Sequence, residues 1–165
     1  MAANFLMTKK QFTIPILSLL TAGLLWVVGD FLLSNTAVID GIKVQNTLYE
    51  NLSPLRRLAL RRDIKNTLSG DGQSLRSLVL FDCGGAAGCY DLGYVLTQLI
   101  YRVGENKVVE MGRSLNKREL AELESLLIAG LEYGASNNDR AKSPKEIDQE
   151  FPLLYRFLLH TKRSD

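Results

Sequence analysis

The sequence predicts a mostly α protein: a single N-terminal transmembrane helix followed by a small helical bundle with one short-loop disulfide. Three observations lead there. Charge is unevenly distributed, since the 165 residues include 20 Lys or Arg and 18 Asp or Glu, yet residues 12–34 hold only Asp30. Beyond residue 52, apolar residues recur at helical spacing between Ser-Pro, Asn-x-x-Glu and glycine signals. Finally, two cysteines lie six apart in a run of small residues. The chain is 46% apolar and 23% charged, which excludes a disordered tail, a collagen-like repeat and a disulfide-dense mini-protein.

The first element expected is the membrane segment. Phe12 to Ser34 reads FTIPILSLLTAGLLWVVGDFLLS, and about 20 helical residues at 1.5 Å each span a bilayer core. Pro15 sits in the first turn, where its missing N–H has no intrahelical partner, and Asp30 lies near the far end, within reach of interfacial water. Lys9 and Lys10 precede the run, so basic side chains stay in the cytoplasm. The expected organisation is a cytoplasmic N-terminus over 1–11, a signal anchor over 12–34, a juxtamembrane linker over 35–52, and an extracytoplasmic helical domain over 53–165. The expected location is the inner membrane, single-pass, with the C-terminal domain outside the cytoplasm. A cleaved signal peptide is the rival, but its apolar region would be shorter and followed by a better small-x-small site.

The helices follow in order. Ser53-Pro54 places a hydroxyl before an N1 proline and opens a helix that Gly70 stops. Ser74 to Asp82 forms a second helix and Tyr90 to Val103 a third. Arg102 to Met111 reads as a short hairpin around Gly104-Glu105-Asn106. Asn116 and Glu119 make a capping box for a fourth helix ending at Tyr133, with Gly134 beyond it. Its Leu120, Leu123, Leu127 and Leu131 fall within about 80° of one another, a core stripe. Ala135 to Lys142 is a polar loop, and Ser143-Pro144-Lys145-Glu146 opens a fifth helix that Pro152 interrupts or restarts. Leu154, Phe157 and Leu158 dock the C-terminus.

The cysteine run is Asp82-Cys83-Gly84-Gly85-Ala86-Ala87-Gly88-Cys89-Tyr90-Asp91. Three glycines let the chain turn back far enough for the Cα atoms to meet disulfide geometry. A bond between Cys83 and Cys89 would pin the junction of two helices and contribute about 2 kcal/mol. The spacing is too long for a Cys-x-x-Cys redox site, and two cysteines with the distant His160 fall short of a zinc ligand set. Gly88-Cys89-Tyr90 stands where a phosphate-binding loop needs Gly-Lys-Ser/Thr. Gly84 likewise stands where the Asp-x-Asp nucleophile motif of haloacid-dehalogenase-like phosphatases needs its second carboxylate. No catalytic, metal or cofactor site is expected. Asp82 with Asp91 is the one carboxylate pair that the loop could hold together for hydrolysis.

Two surfaces are expected to bind partners. Tyr90, Tyr94 and Tyr101 project within about 40° of one another on the third helix, opposite Leu92, Leu96, Leu99, Ile100 and Val103. Rigid tyrosines of this kind are enriched at protein contacts. Arg57, Arg61 and Lys65 recur every four residues and form a basic stripe. Residues 35–165 carry 18 basic and 17 acidic side chains, a balance that argues against nucleic acid. The function expected is that of an envelope interaction protein, an assembly or accessory component that meets another envelope protein, with a homo-oligomer as a further expected form. The alternative is a tethered inhibitor or immunity-type protein that blocks a soluble toxic or lytic enzyme through the Cys83–Cys89 loop. A hydrolase using Asp82 and Asp91 stands third.

Overall fold

A computed structural model describes residues 37–133 and 146–163. A hairpin of β1 (Ala37–Ile39) and β2 (Ile42–Val44) leads into α1 (Asn46–Glu50), α2 (Pro54–Leu68), α3 (Gly72–Val79) and α4 (Ala86–Val103). Helices α5 (Glu105–Gly112), α6 (Lys117–Tyr133), α7 (Ile147–Glu150) and α8 (Pro152–Arg163) complete the described fold. The mostly helical class and the disulfide stand.

The transmembrane part of the expected fold class and the single-pass inner-membrane placement are corrected. Among the described residues, no helix is long and apolar enough to cross a membrane. Even α4, with 18 residues, carries Asp91, Gln98 and Arg102 along its length, as a helix packed inside a domain does. The apolar run at 12–34 lies outside the described residues, as do the polar loop at 135–142 and the Ser143-Pro144 helix start.

The hairpin occupies a stretch where a linker is expected. Asp40 and Gly41 both adopt positive φ, 48° and 85°, the requirement of a two-residue type I′ turn whose twist matches that of the strands. Ile39 therefore pairs with Ile42 and Ala37 with Val44. All four are buried, while Val38 on the other face is exposed. Immediately after it, α1 buries Leu48 and Tyr49.

Local signals set most helix ends. Pro54 begins α2 after Ser53. The Asp71 carboxylate accepts the Gln73 and Ser74 N–H groups, so α3 starts two residues ahead of Ser74. The Asn116–Glu119 capping box forms as predicted: Glu119 N–H donates to Asn116 Oδ1 at 3.0 Å, and Asn116 N–H to Glu119 Oε2 at 2.9 Å. The expected hairpin at 102–111 is instead helix α5. Gly104, with φ 85°, breaks the chain between α4 and α5, and Val108 and Met111 then fall three apart on a buried face.

Leu60 and Ile64 of α2, Leu78 of α3, Leu92, Leu96 and Leu99 of α4, Leu123 and Leu127 of α6, and Leu154 of α8 form one core. At its centre α4 crosses α6 with backbone against backbone. A Cβ on Gly93 would lie 2.1 Å from the Leu126 carbonyl oxygen, and one on Gly130 would lie 2.2 Å from the Gly93 carbonyl carbon. Only glycine permits that approach.

Three polar side chains join elements distant in sequence. Buried Asp91 on α4 accepts the Leu48 N–H at 2.9 Å and so caps α1. Glu105 accepts the N–H groups of Leu153 and Leu154 and caps α8. Gln98 meets the outer edge of β2 with both ends of its amide: Lys43 N–H donates to Oε1 and Nε2 donates to the Lys43 carbonyl, each at 2.9 Å.

Candidate functional site

The residues singled out in the sequence distribute over three places. The first is the end of the domain where α4 begins. Cys83 and Cys89 are bonded, with Cα atoms 5.0 Å apart. The turn needs its glycines: Gly84 and Gly85 have φ 73° and 135°, and a Cβ on Gly88 would lie 2.0 Å from the Cys83 carbonyl oxygen. Gly85 precedes α4, whose opening turn carries Cys89.

Tyr90 follows directly. Its ring stacks on that of Tyr133, with centroids 4.6 Å apart and planes 27° apart. Each tyrosine sits three residues outward from the glycine of the crossing, on its own helix. The antiparallel Gly93–Gly130 contact therefore determines where the two rings meet. They remain accessible, Tyr90 at 37% and Tyr133 at 52%. The neighbouring Glu132 carboxylate accepts from the Tyr133 hydroxyl and repels its phenolate, raising the Tyr133 pKa above the ordinary value, with partial burial and Tyr90 adding to the rise.

Asp82 completes this end. Arg56 Nη1 donates to its carboxylate at 2.9 Å, Arg56 Nη2 donates to its carbonyl, and the Gly84 N–H donates to its other oxygen at 3.1 Å. The Gly84 N–H first, and the Arg56 guanidinium second, hold the Asp82 pKa below the ordinary carboxylate value. Arg56 also lies over the Phe81 ring, 5.1 Å from its centroid. Their sequence neighbours Leu55 and Leu80 are exposed. Arg56 and Tyr133 build this end as much as the cysteines do, and neither is marked by the sequence pattern.

The second place is the face of α4 beyond the first turns. Tyr94 is half-buried. Tyr101 is exposed, but its hydroxyl donates to Glu150 and its ring leans on Phe151 at 5.2 Å. The three tyrosines share a helix face without making one patch: Tyr90 meets α6 and Tyr101 meets the junction of α7 and α8.

The basic stripe is the third place, and it is engaged within the fold. Arg57 stacks over Tyr49 at 4.7 Å, and its guanidinium donates to the carbonyls of Leu52 and Glu50. Lys65 lies 3.8 Å from Asp40 in the hairpin turn. Arg61, between them, is half-buried. Arg57 thus fastens α1 onto α2, while the exposed Lys65–Asp40 pair adds little in water.

The two carboxylates considered for hydrolysis do not face a common space. The Asp82 side chain is 74% exposed and turned to Arg56. Asp91 is 7% exposed and turned to α1, where burial raises its pKa against the opposing donation from Leu48 N–H and the Thr47 hydroxyl. His160 is exposed on α8, the helix whose Leu158 and Thr161 line a groove with Lys117, Leu120 and Ala121 of α6. That groove is at the start of α6, about 24 Å of helix from Tyr133 at its other end. Among the described residues no group of three or more His, Cys, Asp or Glu could hold a metal ion.

This end of the domain thus carries a glycine-rich loop closed by the Cys83–Cys89 bond and a stacked, accessible tyrosine pair. No family model, no curated protein and no solved structure matches this chain.

Proposed function

We propose that the domain is a protein-binding module, an assembly or accessory component of a larger complex, and that it docks through the end built from Tyr90, Tyr133 and the Cys83–Cys89 loop. The observation that carries this reading is the stacked, accessible tyrosine pair held over the Gly93–Gly130 crossing. Tyrosine brings a large apolar surface with few rotatable bonds, so little entropy is lost when a partner covers it. Here the stacking and the closed loop have already restricted both rings. At the same end the Arg56–Asp82 pair supplies exposed polar groups.

The inhibitor reading draws support from the same closed, exposed loop. It is the weaker of the two, because Gly84, Gly85, Ala86, Ala87 and Gly88 carry no side chain beyond a methyl group to fill an enzyme cleft. A tyrosine-led contact with a flatter protein surface suits these residues better.

The test is affinity capture with the full chain from its native cells, comparing wild type with the Tyr90→Ala/Tyr133→Ala double variant. The variant should keep its helical circular dichroism and lose at least about tenfold of a stoichiometric partner, the loss expected when two central aromatic contacts go. Capture of the same proteins in the same amounts would refute this assignment of the surface.

A further inference from the structure

The segment from Asp82 to Tyr90 is held differently on its two sides. Towards solvent, Gly84, Gly85, Ala86 and Ala87 are exposed, and no atom lies within 4 Å of where a Cβ on Gly84 or Gly85 would stand. The Arg56–Asp82 pair that tethers the loop to α2 is itself exposed and is weak in water. Inward, Cys83 and Cys89 are half-buried against the edge of the core and Gly88 is buried against the Cys83 carbonyl, and the Cys83–Cys89 bond is what holds these two edges of the loop together covalently. Inward from Asp91, α4 is gripped by other means: the Gly93–Gly130 contact, the buried Leu92, Leu96 and Leu99, and the Asp91 carboxylate on the Leu48 N–H.

We propose that the Cys83–Cys89 bond is a redox latch confined to this end of the domain: its reduction releases the loop of residues 82–89, while Tyr90 on Tyr133 and the bundle inward of them stay in place. The latch does not rest on the binding reading; where that reading holds, reduction would free the loop beside the tyrosine pair a partner meets.

The reductant is a thiol, and the helix sets the direction of attack. Cys89 lies in the opening turn of α4, where unpaired N–H groups stabilise a leaving thiolate; Cys83 lies outside the helix. A reductant thiolate attacks Cys83 Sγ, the Cys83–Cys89 bond breaks, and its electron pair departs on Cys89 Sγ. With a dithiol, the second thiol then attacks the mixed disulfide, releases Cys83 and closes the oxidised reductant. Two electrons and two protons pass from the dithiol to the two cysteines.

Hydrogen exchange on the full chain tests the latch, comparing the oxidised protein, the dithiothreitol-reduced protein and a Cys83→Ser/Cys89→Ser variant. The loop amides that are hydrogen-bonded in the closed form, Gly84 to the Asp82 carboxylate and Cys89 to the Gly85 carbonyl, should exchange at least about tenfold faster in both bond-free forms, while 95–103 and 120–130 stay within about twofold of the oxidised rates. Unchanged exchange at Gly84 and Cys89 would overturn the proposal by showing that other contacts hold the loop. Loss of protection throughout would overturn it by making the bond a staple of the whole fold. Brief treatment with glutathione followed by alkylation should leave glutathione on Cys83 and the alkyl group on Cys89; the reverse labelling would contradict the assigned direction of attack.

Discussion

Replacing Gly93 by Ala should destabilise the domain by about 2 kcal/mol. The added methyl carbon would stand 2.1 Å from the Leu126 carbonyl oxygen and 2.8 Å from the Gly130 nitrogen. Both are backbone atoms, so no rotamer change relieves the contact, and α4 and α6 have to part by about 1 Å or more. That parting loosens Leu92, Leu96, Leu123 and Leu127, all buried at the crossing. Overpacking of this kind costs about 1–3 kcal/mol, and a rigid obstacle places it near the top of that range. Alanine returns about 1 kcal/mol of helix propensity. With a urea slope of about 2 kcal/mol per M, the midpoint should fall by about 1 M. Gly112→Ala is the control: its methyl carbon would meet the edge of the Phe157 ring at 3.2 Å, a side chain that can turn away, so the midpoint should not fall by more than about 0.3 M. An unchanged or raised midpoint for Gly93→Ala would refute the close crossing.

Three further outcomes follow from the same structure. Gln98→Ala removes both hydrogen bonds to Lys43 and should cost about 1 kcal/mol, with faster exchange of the Lys43 amide as the specific sign. Gly41→Val forces a β-branched residue into a φ of 85° and should cost about 1–2 kcal/mol in urea unfolding. Asp91→Asn keeps an acceptor for the Leu48 N–H but removes the titration. The Asp91 carboxyl has its pKa raised above 3.8 by burial, so between 3.8 and the folded value the native state binds more protons than the unfolded chain. Its contribution to stability is therefore fully present below 3.8 and is lost as pH rises through that window. The stability of Asp91→Asn relative to wild type should accordingly rise between pH 3 and pH 7; a flat difference would contradict the burial of this carboxylate.

What could be read in the sequence divides by the range of the cause. Helix boundaries set within four residues were legible: Pro54 after Ser53, the Asn116–Glu119 box, and the restart at Pro152. The spacing of Leu120, Leu123 and Leu127 also identified a buried stripe. The hairpin was legible in principle, because Asp40-Gly41 between two apolar triplets is a strong turn signal, but assigning residues 35–52 to a linker hid it. At Gly104 the turn signal predicts a hairpin, whereas the glycine separates two helices.

The candidate site was less legible because it depends on pairings distant in the chain. Tyr90 was identified, but its partner Tyr133 becomes visible only once α4 and α6 are known to run antiparallel through Gly93 and Gly130. Arg57 and Lys65 formed a regular basic stripe by spacing, and that pattern could not reveal that Tyr49 and Asp40 would occupy them. Asp91 belonged by position to a polar strip of its helix, yet α1 buries it.

Photocrosslinking tests the binding surface most directly. A photoreactive phenylalanine derivative is placed singly at Tyr90, at Tyr133 and, as a control on α8, at His160 in the full chain, and cells are irradiated under native conditions. Crosslinks from positions 90 and 133 to the same partner protein, with none from position 160, are the predicted result. Crosslinks from position 160 alone would contradict the account.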